Sequence, residues 1–203
     1  MDGSIPPLGC SIGFLGTAIL VTLGTWRLKE DEIPRVALAT AAFFVASSMH
    51  VPIPIAMSSV HLVLNGLVGV MLGRSAPVAI FIGILLQAFL LPLPHGGRTT
   101  IGVNTLTLAI PALIGGVLFR FALRRGIPSS GKLSALGGLL GGGCVLSSIL
   151  LQAAAIWFAD EPVRLFAPVW IAANSVLVVA EALFVAGAVS FLARVKPELL
   201  GIR

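Results

Sequence analysis

Apolar segments long enough to cross a bilayer follow one another along almost the whole chain, and no other feature constrains the fold as strongly. A membrane-crossing helix needs roughly 20 apolar residues. Reading between polar breaks places helices near residues 8–27, 35–50, 57–73, 76–92, 102–122, 133–158 and 166–194. Only 10% of the 203 residues are charged and 57% are hydrophobic, with a mean hydropathy of +1.06, a balance that excludes an ordinary soluble domain. Backbone amides in lipid must be paired within their own segment. The expected fold class is therefore all-α: a polytopic membrane helical bundle of about seven transmembrane helices, one domain over residues 1–203. The second and third helices are short and Pro52 and Pro54 separate them, which predicts irregular backbone shielded from lipid by neighbouring helices.

The charges test this count independently. With the N-terminus outside, Arg27, Lys29, Arg35, Arg74, Arg120, Arg124, Arg125, Lys132, Arg194, Lys196 and Arg203 fall on the cytoplasmic side, leaving Arg98 and Arg164 outside. Basic residues gather on the cytoplasmic side of membrane proteins, so the pattern predicts an exterior N-terminus, a cytoplasmic C-terminus and a plasma-membrane location. The net charge of +5 is thereby read as loop placement rather than nucleic-acid binding. The segment Met1-Asp2-Gly3-Ser4-Ile5-Pro6-Pro7 lacks the basic start of a signal peptide, so the first helix is expected to be retained.

Small residues mark close helix contacts. Gly9, Gly13 and Thr17 recur every four residues on the first helix, and Gly137, Gly138, Gly141, Gly142 and Gly143 crowd the sixth. Such stripes let helices approach closely in lipid, either within the bundle or against a partner. Cys10 and Cys144 show no metal or disulfide spacing and read as small packing residues.

Polar side chains are costly in lipid, so their positions carry the functional signal. The three histidines, His50, His61 and His95, all fall toward the outer ends of helices or in the adjoining loops. Imidazoles gathered on one face, with Met1 on the same face, offer nitrogen donors suited to Ni(II), Co(II) or Cu(II). His61 is the strongest candidate because Ser58 and Ser59 precede it and permit close approach; either serine could instead cap the third helix. A second polar patch runs from Pro94 to Asn104: Gly96 and Gly97 allow a sharp re-entry, and Asn104 stands one turn inside the fifth helix. Glu181 lies within the last apolar span, where a histidine, an asparagine or water is the expected partner. Asn65, Gln87, Gln152 and Asn174 are candidates for interhelical hydrogen bonds. The sequence has no HExxH, GxSxG or Walker A motif, so an enzyme is not expected and any ATP-driven step requires another subunit.

The order of Ser48-Met49-His50-Val51-Pro52-Ile53, Ser58-Ser59-Val60-His61-Leu62, Gln87-Ala88 and His95-Gly96-Gly97-Arg98-Thr99-Thr100-Ile101-Gly102-Val103-Asn104 resembles the CbiM/NikM substrate-binding (S) components of cobalt and nickel energy-coupling factor transporters. Glu181 and the stretch Phe191–Leu200 are similar to the end of that family. The resemblance implies a substrate-capturing subunit of an ABC importer, with Co(II) or Ni(II) as the transported substrate. It implies metal ligands at Met1, Asp2 and His61, with His50 and His95 as further candidates. It also implies a lid or supporting shell of Ser58, Gly96, Gly97, Asn104 and Glu181. Expected partners are a transmembrane coupling (T) subunit, cytoplasmic ATPase subunits and a small accessory membrane subunit, with Gly9, Gly13 and Thr17 as a docking face. The family begins Met-His, whereas this chain begins Met1-Asp2-Gly3, and Asn174 stands where relatives carry a histidine. An S component for a small organic molecule is therefore the alternative, and a membrane metalloenzyme a more distant one.

Overall fold

The computed structural model describes residues 5–26, 28–49, 51–53, 58–91, 97–126, 129–159, 164–165 and 167–202, with 51–53 and 58–60 described as backbone only. Helix α1 spans Pro7–Thr25 and α2 Ile33–Ser48. A two-stranded hairpin of β1 (Val51–Ile53) and β2 (Ser58–Val60) follows, then α3 (Asn65–Leu72), α4 (Ala76–Leu90), α5 (Ile101–Arg124), α6 (Ser130–Trp157) and α7 (Ala167–Val195). Short 3-10 turns occupy Glu30–Glu32, Gly73–Ser75 and Pro197–Leu200. The strands pair antiparallel, with Val51 opposite Val60 and Ile53 opposite Ser58.

Close approaches fix the helix directions. Gly69 meets Ala112 and Gly73 meets Gly116, so α3 runs parallel to α5; Gly13 and Gly16 meet Val103 and Leu106, aligning α1 with both. Phe43 packs on Gly83 and Gln87 donates to Ser47, so α2 and α4 run together. Gly137 meets Val189 while Gly142 meets Val178, making α6 and α7 antiparallel. The chain thus reverses from helix to helix, and Arg35, Arg74 and Arg120 collect at one end with Leu199. His61 and the start of α5 lie toward the other.

The structure alters several expectations. Five described stretches are long and apolar enough to cross a membrane: Pro7–Thr25, Asn65–Leu90, Ile101–Arg124, Ser130–Trp157 and Ala167–Val195. Of these, 65–90 folds back at Gly73, whose φ of 57° is a left-handed turn that glycine adopts without strain. At 16 residues α2 falls short of a full span. The third helix, expected at 57–73, begins only at Asn65. Ser58 and Ser59 therefore lie on β2 and cap no helix, and residues 61–64 are non-helical, ending at Leu64 with φ 55°. Pro52 and the hairpin commit this region to non-helical backbone, which the short stretch Val60–Leu64, apolar but for His61, accepts as readily as helix.

Helix α3 is only 8 residues long and every one of them is buried, so it meets protein rather than lipid. Its neighbours come within backbone contact: a Cβ on Gly66 would stand 2.7 Å from the Gly141 Cα, and one on Gly69 2.8 Å from the Ala112 carbonyl carbon. Both ends of α3 are held by charged side chains from elsewhere. At the far end Arg35 donates to the Met71 and Leu199 carbonyls, and Arg120 donates to Met71 at 3.5 Å. Cations at a helix C-terminus offset its exposed carbonyl dipoles.

The two small-residue stripes are used internally. Gly13 and Thr17 are buried against α5, a Cβ on Gly13 would stand 2.7 Å from the Val103 amide, and the Thr17 hydroxyl donates to the Gly102 carbonyl at 2.8 Å. Gly9 packs on Ile5 of its own segment. Of the docking face expected at Gly9, Gly13 and Thr17, the last two are thus corrected: α5 takes the place of a partner there, while Gly9 is only partly buried and does not meet α5. Gly137, Gly141 and Gly142 of α6 accept Val189, Val185 and Val178 of α7 in the same way, while a Cβ on Gly143 would meet nothing within 4 Å. Thr17→Val removes one buried hydrogen bond while keeping the shape. The expected cost is about 0.6 kcal/mol, a fall of roughly 1–3 °C in thermal midpoint, read by tryptophan fluorescence in detergent.

Candidate functional site

His61 is the first residue after β2 and lies partly buried on the non-helical segment 61–64. Its Nδ1 stands 3.2 Å from the Leu62 carbonyl. A carbonyl can only accept, so in this contact the imidazole donates from Nδ1, and ring nitrogens are the atoms that histidines offer to metals.

The backbone that follows His61 is held by the last helix. Glu181 of α7 is fully buried, and its Oε1 accepts from the amides of Val63 and of Leu64, the latter at 2.9 Å. A carboxylate here satisfies donors that would otherwise be orphaned ahead of α3 and lies at the positive end of that helix. The next residue, Asn65, is equally buried and donates from Nδ2 to the Leu108 carbonyl at 3.1 Å and the Ser148 Oγ at 2.8 Å. Four elements thus fix residues 63–65: the segment itself, α5, α6 and α7. Glu181 was expected to meet a side chain or water; among the described residues its partners are main-chain amides.

The second patch is built at the entry to α5. Gly97 is buried with φ 81°, a left-handed turn that matches its expected role in re-entry. The Thr100 hydroxyl donates to the Gly97 carbonyl at 3.3 Å, and the Asn104 Nδ2 donates to the Thr100 Oγ at 3.4 Å. The Arg98 guanidinium lies 5.2 Å from the Phe89 ring centre, joining the turn to the end of α4. Asn174 bonds within its own helix, to Trp170 at 2.8 Å, rather than across helices.

Met1, Asp2, His50, His95 and Gly96 lie outside the described residues, as does the side chain of Ser58. Among the described residues no group of three or more His, Cys, Asp or Glu is arranged to hold a metal. The structure therefore supplies His61 and its supporting frame. Asn65 makes the interhelical hydrogen bonds expected of it; its partner Ser148 was not read from sequence.

Comparison with known proteins places these observations in a family. The profile of the CbiM family, described as a cobalt uptake substrate-specific transmembrane region, matches residues 1–199. A Haemophilus influenzae protein named for metal transport is 42% identical over 104 residues, 51% of this chain and 48% of that protein. The cobalt transport protein CbiM of Lachnoclostridium phytofermentans is 36% identical over 117 residues, 54% of this chain and 46% of its own. The matches thus span about half the length of these relatives. A crystal structure of a transition metal transporter superposes with a TM-score of 0.73 at 19% identity, covering 97% of this chain and 92% of that one, which establishes a common fold.

Proposed function

The chain belongs to the CbiM family of metal-uptake membrane components, which are not enzymes, and from that premise we propose that it captures a divalent transition metal for an energy-coupling factor importer. The substrate is Co(II) or Ni(II), taken from the exterior side of the plasma membrane. The observation that supports this reading is the presentation of His61: one imidazole on a non-helical segment whose next amides are clamped by a buried carboxylate. Borderline metals favour imidazole nitrogen, and a ligand carried on a clamped backbone loses little freedom on binding.

In this reading Met1 and Asp2 bring the terminal amine and an amide or carboxylate oxygen to the metal, and His50 or His95 supplies the imidazole that a Met-His start would have carried. The turn from Gly96 to Asn104 acts as the lid, stiffened by the Thr100 and Asn104 hydrogen bonds. Release inward requires a T subunit and ATPase subunits, because the chain has no nucleotide-binding motif of its own; a small accessory membrane subunit completes the assembly.

Isothermal titration with Co(II) and Ni(II) tests the assignment. His61→Ala is expected to weaken binding at least about 100-fold, while His50→Ala and His95→Ala differ from one another according to which completes the ligand set. Equal heats from the parent chain and His61→Ala would remove His61 from the site.

A further inference from the structure

We infer that the basic end of the bundle carries a site for the phosphate of an anionic phospholipid, formed by Arg120 and Arg124. A pocket of about 240 Å³ opens there, lined by Arg120, Leu123, Arg124 and Gly201. Gly201, at φ 74°, turns the chain so that its backbone forms one wall.

The electrostatics of this end call for an anion. Arg35 and Arg120 both point a guanidinium at the Met71 carbonyl. Among the described residues, no carboxylate lies within ion-pair distance of Arg35, Arg120 or Arg124; Glu32 is engaged with Arg74 at 4.0 Å and Glu198 with Lys196 at 3.4 Å. Arg35 lies outside the pocket lining, and among the described residues its buried Nε has no hydrogen-bond partner. Guanidinium groups bind phosphate oxygens through charge-assisted hydrogen bonds, so one phosphate would answer convergent positive charge that Glu32 and the carbonyls only partly offset.

The surface next to the pocket selects a lipid as the source. Val117 and Phe121 share a face of α5 with Arg120 and Arg124 by their three- and four-residue spacing; they are 64% and 51% exposed, and the Arg125 guanidinium stacks on the Phe121 ring at 4.3 Å. The stripe therefore passes from apolar to doubly cationic within two turns. That profile fits acyl chains lying on α5 with the phosphodiester at its end. Basic pockets at the ends of membrane helices bind anionic headgroups in this way, each arginine adding about fivefold in affinity.

The test uses the full chain in detergent, titrated with dioleoylphosphatidylglycerol or dioleoylphosphatidylcholine, with bound lipid counted by native mass spectrometry. Phosphatidylglycerol is expected to bind at least about tenfold more tightly. Arg124→Gln, at an exposed position, and Arg120→Gln should each weaken it about fivefold, and Arg98→Gln, at the opposite end, should not. Inorganic phosphate and glycerol 3-phosphate form the soluble arms and are expected not to displace the lipid. Equal binding of the two lipids, or undiminished binding by Arg124→Gln and by the double variant, would overturn the site. Displacement by millimolar phosphate would overturn the lipid as its occupant and assign the pocket to a free anion.

Discussion

Glu181→Ala is expected to lower the thermal midpoint by about 10 °C, whereas Glu181→Gln should lower it by no more than about 3 °C. The carboxylate satisfies two buried amides, those of Val63 and Leu64. Each buried donor left without a partner costs about 1–3 kcal/mol, and each kcal/mol shifts a domain of this size by roughly 2–4 °C. Glutamine retains an acceptor oxygen at the same reach, so it separates hydrogen bonding from charge. The same frame positions His61, and loss of such supporting groups typically weakens metal sites about 10–100-fold. Under the proposed function Glu181→Ala should show that loss in a Co(II) titration below its unfolding temperature. Equal destabilisation by alanine and glutamine would mean that the two amides are not what Glu181 serves.

Gly69→Ala is the second large effect, expected at about 3 kcal/mol or more, with Gly69→Leu failing to assemble. The added Cβ falls on the Ala112 carbonyl, whose carbon would be 2.8 Å away. The obstacle is backbone, so no rotamer change relieves it and α3 must move off α5. Overpacking in a filled core costs about 1–3 kcal/mol even where side chains yield. Gly187→Ala on α7 is the matched control: nothing lies within 4 Å of its added Cβ, and alanine is the better helix former. Thermal unfolding in detergent, with gel filtration to detect misassembly, reads both. A Gly69→Ala protein as stable as Gly187→Ala would show that α3 and α5 are not in close contact.

The features legible in the sequence are those carried by lipid itself. Long apolar runs have one solution for their backbone in a bilayer, so α1, α5, α6 and α7 emerge close to their expected bounds. Asn104 likewise falls one turn inside α5, because the glycines before it mark the break. Between α2 and α3 only the break at Pro52 and Pro54 was legible as irregular; residues 58–64, expected to open the third helix, are strand and non-helical chain. The proline signal was clear, but an apolar run of strand length has no periodicity that distinguishes extended chain from buried helix. The partner of Glu181 was hidden for the same reason. A buried carboxylate suggests a side-chain partner, and only an unwound segment offers it free amides. The fate of the Gly13/Thr17 stripe was undetermined because small residues specify closeness without naming the neighbour.

The grip on α3 also has a consequence for how the protein is made. Its first turn waits for Glu181, which follows Val63 by 118 residues, and Arg35 at its other end is also shared with Leu199, 164 residues downstream of that arginine. At translation rates of about 5–20 residues per second, this interval leaves the segment from His61 to Asn65 unfinished for roughly 6–24 s after it leaves the ribosome. Biogenesis therefore closes on the last helix: a nascent chain released before α7 leaves the Val63 and Leu64 amides without the carboxylate that caps them.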